Sequence, residues 1–412
     1  SLTVFGGADR NEFLLIDSTV GGDVLVQNAG SGETDFEGSV IEGNLNVVNG
    51  DGFDEFKLDG AEVAGDVVID NGDGDALTGL SSVTDGENDS AVGGDLIVEN
   101  GDGFDALDIG DFSVDGSLFV NNGDGDELSG QGSSTDVEAV IGGAVAILNK
   151  DGFDEVEIED SVVKGAVLVE NNDGDAAGLG SDNSFGPGFF GGTLVVKNRN
   201  GFDEVALKGA EVLGNVDIRN YAGNALGEGS SVGVDDGTLV QGNFAVRNET
   251  GFDEVDIEEG STIVGDVFIR VESGGSGVDI ETATIGGSLK VQGAGGFDAF
   301  NLDDTSIGTF VDVRLGSGGS DFLTESSSGT AGVSIGGYLI IEGSSGVDTI
   351  TLDVLEVNGK TTIRPGSGND FLTLLNSAFN GGFRAEGGSG LDTFTDAGGN
   401  AFVGSVVLES FP

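Results

Sequence analysis

The 412-residue sequence has no cysteine, methionine, tryptophan or histidine, and only 3 prolines and 2 tyrosines. Without cysteine there is neither a disulfide framework nor thiol chemistry, and redox usage carries no information about compartment. No run of 18 apolar residues occurs, which excludes a membrane-spanning helix. Positive charge is scarce: 15 basic residues stand against 74 acidic ones, a net charge of −59. That balance excludes nucleic acid and anionic membrane surfaces as partners. The basic residues do not cluster along the chain. High net charge often accompanies disorder, but a mean hydropathy of +0.04 and regular apolar alternation argue for a packed chain.

What is abundant is glycine, 78 residues, and it recurs within a repeated phrase: Gly-x-Φ-x-Φ-x-Asn, a glycine-rich turn, Asp, then a second alternating run. Gly94-Asp95-Leu96-Ile97-Val98-Glu99-Asn100 leads through Gly101-Asp102-Gly103-Phe104 to Asp105. The Asp or Asn that closes each turn falls at 11, 35, 54, 75, 105, 126, 154, 175, 203, 224, 253, 279, 298, 321, 348, 370 and 392. These are seventeen turns at steps of 19 to 30 residues. One such unit cannot bury its own apolar face, so a period in this range implies stacking into a solenoid. From Asp54 to Asp253 the steps alternate short and long, and Gly-Phe-Asp marks every second turn, at Phe53, Phe104, Phe153, Phe202 and Phe252. A duplicated two-coil unit accounts for this.

Apolar residues alternate before the turn (Leu118/Val120, Val145/Ile147, Val167/Val169) and again after it (Phe56/Leu58, Leu107/Ile109, Val156/Ile158). Period two reads as strand with one buried face. A third short piece precedes the first Gly, as in Val63-Ala64-Gly65. The fold expected is all-β: a single-stranded parallel β-helix of about 17 coils of 19 to 30 residues, right-handed by the crossover rule. Val67, Ile69, Leu96, Val98, Leu118, Val120, Val145, Ile147, Val167 and Val169 are its expected core. Asn49, Asn71, Asn100, Asn122, Asn149, Asn171, Asn198, Asn220 and Asn248 share the inward parity and are expected to stack as an amide ladder. The alternative is Asn acting simply as a turn former.

Acids are denser in residues 1–263 (55) than in 264–412 (19), and the coil pairing loosens after 263. Two zones of one β-helix are therefore expected: an acidic two-coil-repeat part with loop insertions, 1–263, and a Ser/Thr/Gly-richer continuation, 264–412. Thr78–Val92, Ser129–Ile141, Gly178–Gly192 and Gly227–Gly237 read as a row of inserted loops on one edge. Phe185-Gly186-Pro187-Gly188-Phe189-Phe190 either folds onto the core or forms a contact surface for a partner.

Gly387-Gly388-Ser389-Gly390-Leu391-Asp392-Thr393-Phe394-Thr395 matches the nonapeptide G-G-x-G-x-D-x-U-x in full. Asn100 to Asp108 matches with Asn for the first Gly, and Gly274 to Asp279 matches its first six positions. These turns resemble the calcium-binding RTX (haemolysin-type) repeats, although one motif occurs per coil instead of a tandem run. The resemblance covers turns only, about a third of the chain. It implies secretion, and Ca²⁺ held by turn carbonyls and the Asp carboxylate. Independently of it, stacked carboxylates about 4.8 Å apart repel by roughly 1 kcal/mol per pair even in water. Hard cations with six to eight oxygen ligands would offset that repulsion, as would carboxylates splayed into solvent. The expected metal ligands are Asp54, Asp105, Asp154, Asp203, Asp253, Asp298, Asp348 and Asp392, then Asp279, Asp321 and Asp370.

Parallel β-helices also host polysaccharide lyases and hydrolases, but here each acid is one rung of a ladder and none stands out as a catalytic pair. The function expected is a non-catalytic extracellular structural protein: a stiff calcium-stabilised element that self-associates along its axis into a fibre, matrix or surface layer. The alternative is an adhesin stalk or passenger that binds a glycan or receptor through its loop row. The opening Ser1-Leu2-Thr3-Val4 is not a signal peptide, and both ends lie within the repeat, as expected of a processed product or a segment of a longer protein.

Overall fold

A computed structural model describes residues 1–73, 80–124, 131–174, 179–223, 228–293, 295–327 and 332–411. The turn positions Asp75, Asp126, Asp175 and Asn224 lie outside these residues. Among the described residues there is no helix, and hence none long and apolar enough to cross a membrane. The chain is an all-β parallel β-helix, and the strand pairs all run parallel. It divides into two compact units: Ser1–Val205 with Val212–Gly214, and Ala206–Glu211 with Asn215–Pro412.

Each coil has three strands, for the reason the alternation suggests: β-branched and aromatic residues at period two line one face of a pleated strand. In the first unit Asp54–Asp59, Glu62–Val63 and Val67–Asp70 make one coil. Leu80–Glu87, Ala91–Val92 and Leu96–Glu99 make the next, with Val67 against Leu96 and Ile69 against Val98. All ten expected core residues are at most 1 % exposed. Burying each such side chain contributes about 1.5–3 kcal/mol. Larger gaps are filled by ring contacts, edge-on and tilted along Phe13–Phe36–Phe56 in the first unit and stacked at Phe300–Phe322 in the second.

The bends explain part of the glycine count. In Gly-Phe-Asp the Gly has φ of 126° at Gly52, 131° at Gly103 and 139° at Gly152, a region open only to glycine. After the first strand of many coils the chain turns through a left-handed residue, where Asp or Asn serves as well: Asp17, Asp111, Asp160 and Asn376 have φ of 45–49°.

The segments expected as inserted loops are largely strand where they are described. Leu80–Glu87, Gln131–Ile141, Leu179–Phe185 and Glu228–Asp235 belong to the sheet. Their strand period is hard to see because inward positions carry small polar residues, such as Ser82, Thr84, Ser133, Thr135, Ser181 and Asn183, all buried. Phe185 and Phe190 are buried and meet edge to face at 6.1 Å, so this segment closes onto the core.

Candidate functional site

Two inward columns face each other beneath the glycine-rich turns. The first is the amide ladder. In the first unit Asn28, Asn49, Asn71, Asn100, Asn122, Asn149, Asn171 and Asn198 each donate Nδ2–H to the Oδ1 of the next, at 2.7–2.9 Å. In the second unit Asn220 donates to Asn248 at 3.0 Å, and the next coil has Val271 in register. From Asn49 to Asn171 each amide has one donor and one acceptor satisfied by its own kind, which is what makes burial of the row tolerable, whereas Asn248, followed by Val271, has its Nδ2 buried without a partner. Asn28 extends the expected ladder by one rung.

The second column lies on the far side of the turn, at the start of the following strand. In the first unit it reads Gly32, Asp54, Ser82, Asp105, Ser133, Asp154, Ser181, Asp203. Carboxylates thus occupy every second coil, with a hydroxyl between them. The stacking of like charges in adjacent coils expected from the turn spacing is absent here, because the long coil of each pair brings a Ser, not its turn acid, into register. Asp54 Oδ1 accepts from Gly32 N at 2.6 Å, Asp154 Oδ1 from Ser133 N at 2.8 Å, and Asp105 Oδ1 from Ser82 Oγ at 2.9 Å. Asp203 Oδ1 accepts both N–H and Oγ–H of Ser181, at 3.0 and 3.1 Å.

In the second unit the column begins in the same way, Ser230, Asp253, Ser276, Asp298, Ser320, and then changes. Asp348, Asp370 and Asp392 follow in three consecutive coils, with Asp348 N donating to Asp370 Oδ1 at 3.0 Å and Asp370 N to Asp392 Oδ1 at 3.1 Å. No Asn faces them. The ladder position is held by Gly343, Pro365 and Gly387, and a Cβ added to Gly343 would fall 2.2 Å from Asp348 Oδ2 and 2.0 Å from the Pro365 carbonyl. One at Gly387 would fall 2.6 Å from Asp392 Oδ2 and 2.7 Å from the Ser410 carbonyl. Only glycine fits there, and its missing side chain lets carboxylate and carbonyl oxygens close on the position as an oxygen-lined cradle.

All nine column carboxylates are 0–4 % exposed. Burial pushes Asp54, Asp154 and Asp203 up to about 7, with Asp51 adding at Asp54 and Asp151 and Asp105 adding at Asp154. Burial likewise raises Asp253 to about 6, and Asp298 and Asp370 above the usual range. Asp348 rises to about 7 through burial and then through the neighbouring Asp370. The Oδ2 atoms of Asp54, Asp203, Asp253, Asp348, Asp370 and Asp392 are buried with no hydrogen-bond partner. A buried acceptor without a donor costs about 1–3 kcal/mol, so each is better served by a proton or a cation.

Two expected ligands are elsewhere. Asp279 is in register with Asp256 and Asn301, on the outward face three residues past the column, where Ser276 holds the inward place. Asp321 is exposed and stands beside Ser320, its register partners being Ala299 and Thr349. Among the described residues no three acidic side chains converge in the manner of a metal centre. A cation at the column would be held by one or two carboxylates and by turn carbonyls.

Some of the basic residues, scattered along the chain, are gathered by the fold. Arg219, Arg247, Arg270, Gln292 and Arg314 succeed one another in one outward column of the second unit. A sequence signal exists: each Arg directly follows an inward apolar residue, as in Ile218-Arg219, Val246-Arg247, Ile269-Arg270 and Val313-Arg314. Comparison with known protein families, with curated proteins and with solved structures finds no match to the chain.

Proposed function

We propose that the chain is a non-catalytic extracellular structural element, a parallel β-helix whose turn carboxylates are stabilised by Ca²⁺ and which self-associates along its coil axis. The observation that carries the reading is the row of buried carboxyl groups with an unpartnered oxygen under glycine-rich turns. If Asp154 and Asp203 were ionised at neutral pH with no counter-ion, each rise from 3.8 to about 7 would cost roughly 4 kcal/mol. Several such costs would exceed the 5–15 kcal/mol of net stability that ordinary domains possess. Asp348, Asp370 and Asp392 fit a cation best, because the cradles at Gly343 and Gly387 add carbonyl oxygens to their free Oδ2 atoms. Oxygen-only ligands and flexible geometry suit Ca²⁺ better than Mg²⁺, which demands a near-ideal octahedron. Bound Ca²⁺ would supply the compensating charge.

Self-association follows from the same backbone. In a parallel coil the strand N–H and C=O groups point along the axis, so any coil without a neighbour is a template for another strand. The acidic flanks discourage lateral contacts between copies. Thermal melting in millimolar Ca²⁺, against Mg²⁺ and against Na⁺ at equal ionic strength, tests the metal. A rise with Ca²⁺ that Asp370→Asn and Asp392→Asn remove supports it, and equal rises in all three salts reduce it to screening. Sedimentation velocity across a concentration series tests assembly, and a single monomeric species throughout rejects it.

A further inference from the structure

The Arg column of the second unit is uneven in how its charges are used. Arg219 and Arg247 share the Asp217 carboxylate at 2.5 and 2.6 Å, and the Arg247 guanidinium lies 5.8 Å over the Phe268 ring. Further along, Arg270 meets Glu272 of its own strand at 3.0 Å, while Arg314 reaches Asp312 only at 3.7 Å and Glu342 only at 3.9 Å. The two Arg314 separations exceed hydrogen-bond length, and the Arg270 and Arg314 side chains are 49 % and 57 % exposed. Between them Gln292 occupies the intervening coil and the next residue is Gly293, without a side chain. The result is a groove of about 300 Å³ lined by Arg270, Glu272, Gln292, Gly293 and Arg314 together with Val271.

We propose that this groove binds the carboxylate-bearing sugar of an acidic glycan. Arg270 and Arg314 are two coils apart, roughly 10 Å at the backbone from the coil spacing, so both forks can turn onto one carboxylate seated over Gln292. Guanidinium forks match the planar carboxylate bidentately, and such charge-assisted bonds are the strong ones. The rest of the lining selects for hydroxyls: the Gln292 amide both donates and accepts, and Glu272 only accepts. A bare inorganic anion has nothing to donate to Glu272 and is repelled by it, whereas a uronic acid brings hydroxyl donors beside its carboxylate. The net charge of −59 does not forbid the contact. At physiological ionic strength acids more than about 8 Å away are largely screened, while contact pairs are not. The inference is independent of the calcium reading, because the side chains that would hold the carboxylate, those of Arg270, Gln292 and Arg314, lie on the outward face and not in the buried column.

The test is isothermal titration calorimetry of the full chain with a glucuronate-containing tetrasaccharide, with neutral maltotetraose and with sodium sulfate. Binding of the first alone is expected, and Arg270→Gln/Arg314→Gln should weaken it by about tenfold or more. Asp312→Asn, which removes a carboxylate competing for Arg314, should tighten it; a row of purely structural ion pairs would give no gain. Melting curves of each variant show that the fold is kept. Equal binding of the neutral sugar, binding of sulfate as tight as that of the uronate, no binding at all, or wild-type affinity in the double Gln variant each overturns the proposal. Should the double variant instead change the sedimentation coefficient with no change in sugar binding, the row is a contact between copies and the glycan assignment is wrong.

Discussion

The column under the turns is built in two ways. In the first unit Asp154 and Asp203 are separated by Ser181, which donates its N–H and Oγ–H to Asp203. In the last coils of the second unit Asp348, Asp370 and Asp392 touch directly. The first arrangement doubles the distance between like charges and supplies a neutral donor; the second concentrates charge where Gly343 and Gly387 let carbonyl oxygens close in beside the carboxylates. The two-coil repeat is thus an electrostatic device as well as a trace of duplication. The amide ladder goes with the first arrangement: Asn149 and Asn171 hold the position that Gly343 and Gly387 hold in the second, where a side chain would meet oxygen.

The largest effect expected is on the pH dependence without divalent ions. For Asp154 and Asp203 the folded-state value, about 7, lies above the unfolded 3.8, so between these limits the folded chain holds protons that the unfolded chain has lost. Stability is therefore greatest below about pH 4 as far as these groups are concerned, and falls as pH rises to about 7, by roughly 4 kcal/mol per carboxyl. Urea denaturation in EGTA at a series of pH values measures it; a midpoint that rises with pH would refute the buried assignment. Ca²⁺ should flatten the fall most where the carboxylates adjoin, so Asp370→Ser, which recreates the first arrangement, should reduce the calcium dependence.

Ser181→Asp is the reverse experiment, converting the first arrangement into the second without its cradle. It should cost about 3–5 kcal/mol at pH 7.5 and much less at pH 4.5, where the new carboxyl is protonated. Next comes a control common to both units. Ile147→Ala and Ile341→Ala remove equally buried side chains, and each should cost about 3 kcal/mol by chemical denaturation. Unequal losses would show that the two cores are not packed alike. Asn149→Ala leaves Asn122 Nδ2 and Asn171 Oδ1 without partners and should cost about 2 kcal/mol, unaffected by Ca²⁺. The smallest effect belongs to Asp321→Ala: its exposed carboxylate should matter by less than about 0.5 kcal/mol and leave any calcium response unchanged.

How much of the site was legible depends on where the counting starts. Measured from the glycine turn, Asp279 and Asp321 look equivalent to Asp298 and Asp348. Measured back four residues from the last inward residue of the strand, the column emerges directly: Ile158 leads to Asp154, Phe185 to Ser181, Ile280 to Ser276 and Leu352 to Asp348. Turns absorb insertions, whereas a buried strand keeps its parity because a slip of one residue would turn its apolar side chains outward. The Asn ladder was readable because Asn sits at a constant distance from the apolar pair that precedes it. The inward Ser of the long coils was not, since Ser in a polar stretch looks like loop.

By itself the sequence determined the parallel coil, its core and the amide ladder. All three follow from local period and parity, which neighbouring residues impose on one another. Only the tertiary structure decided which residues from different coils share a column. That pairing sets Ser between the carboxylates of the first unit, brings Asp348, Asp370 and Asp392 together in the second, and draws successive Arg residues 23–44 positions apart into one row. The physical reason is that column neighbours are joined by hydrogen bonds between coils. The length of each intervening turn determines who meets whom, and no local pattern records the sum of those lengths.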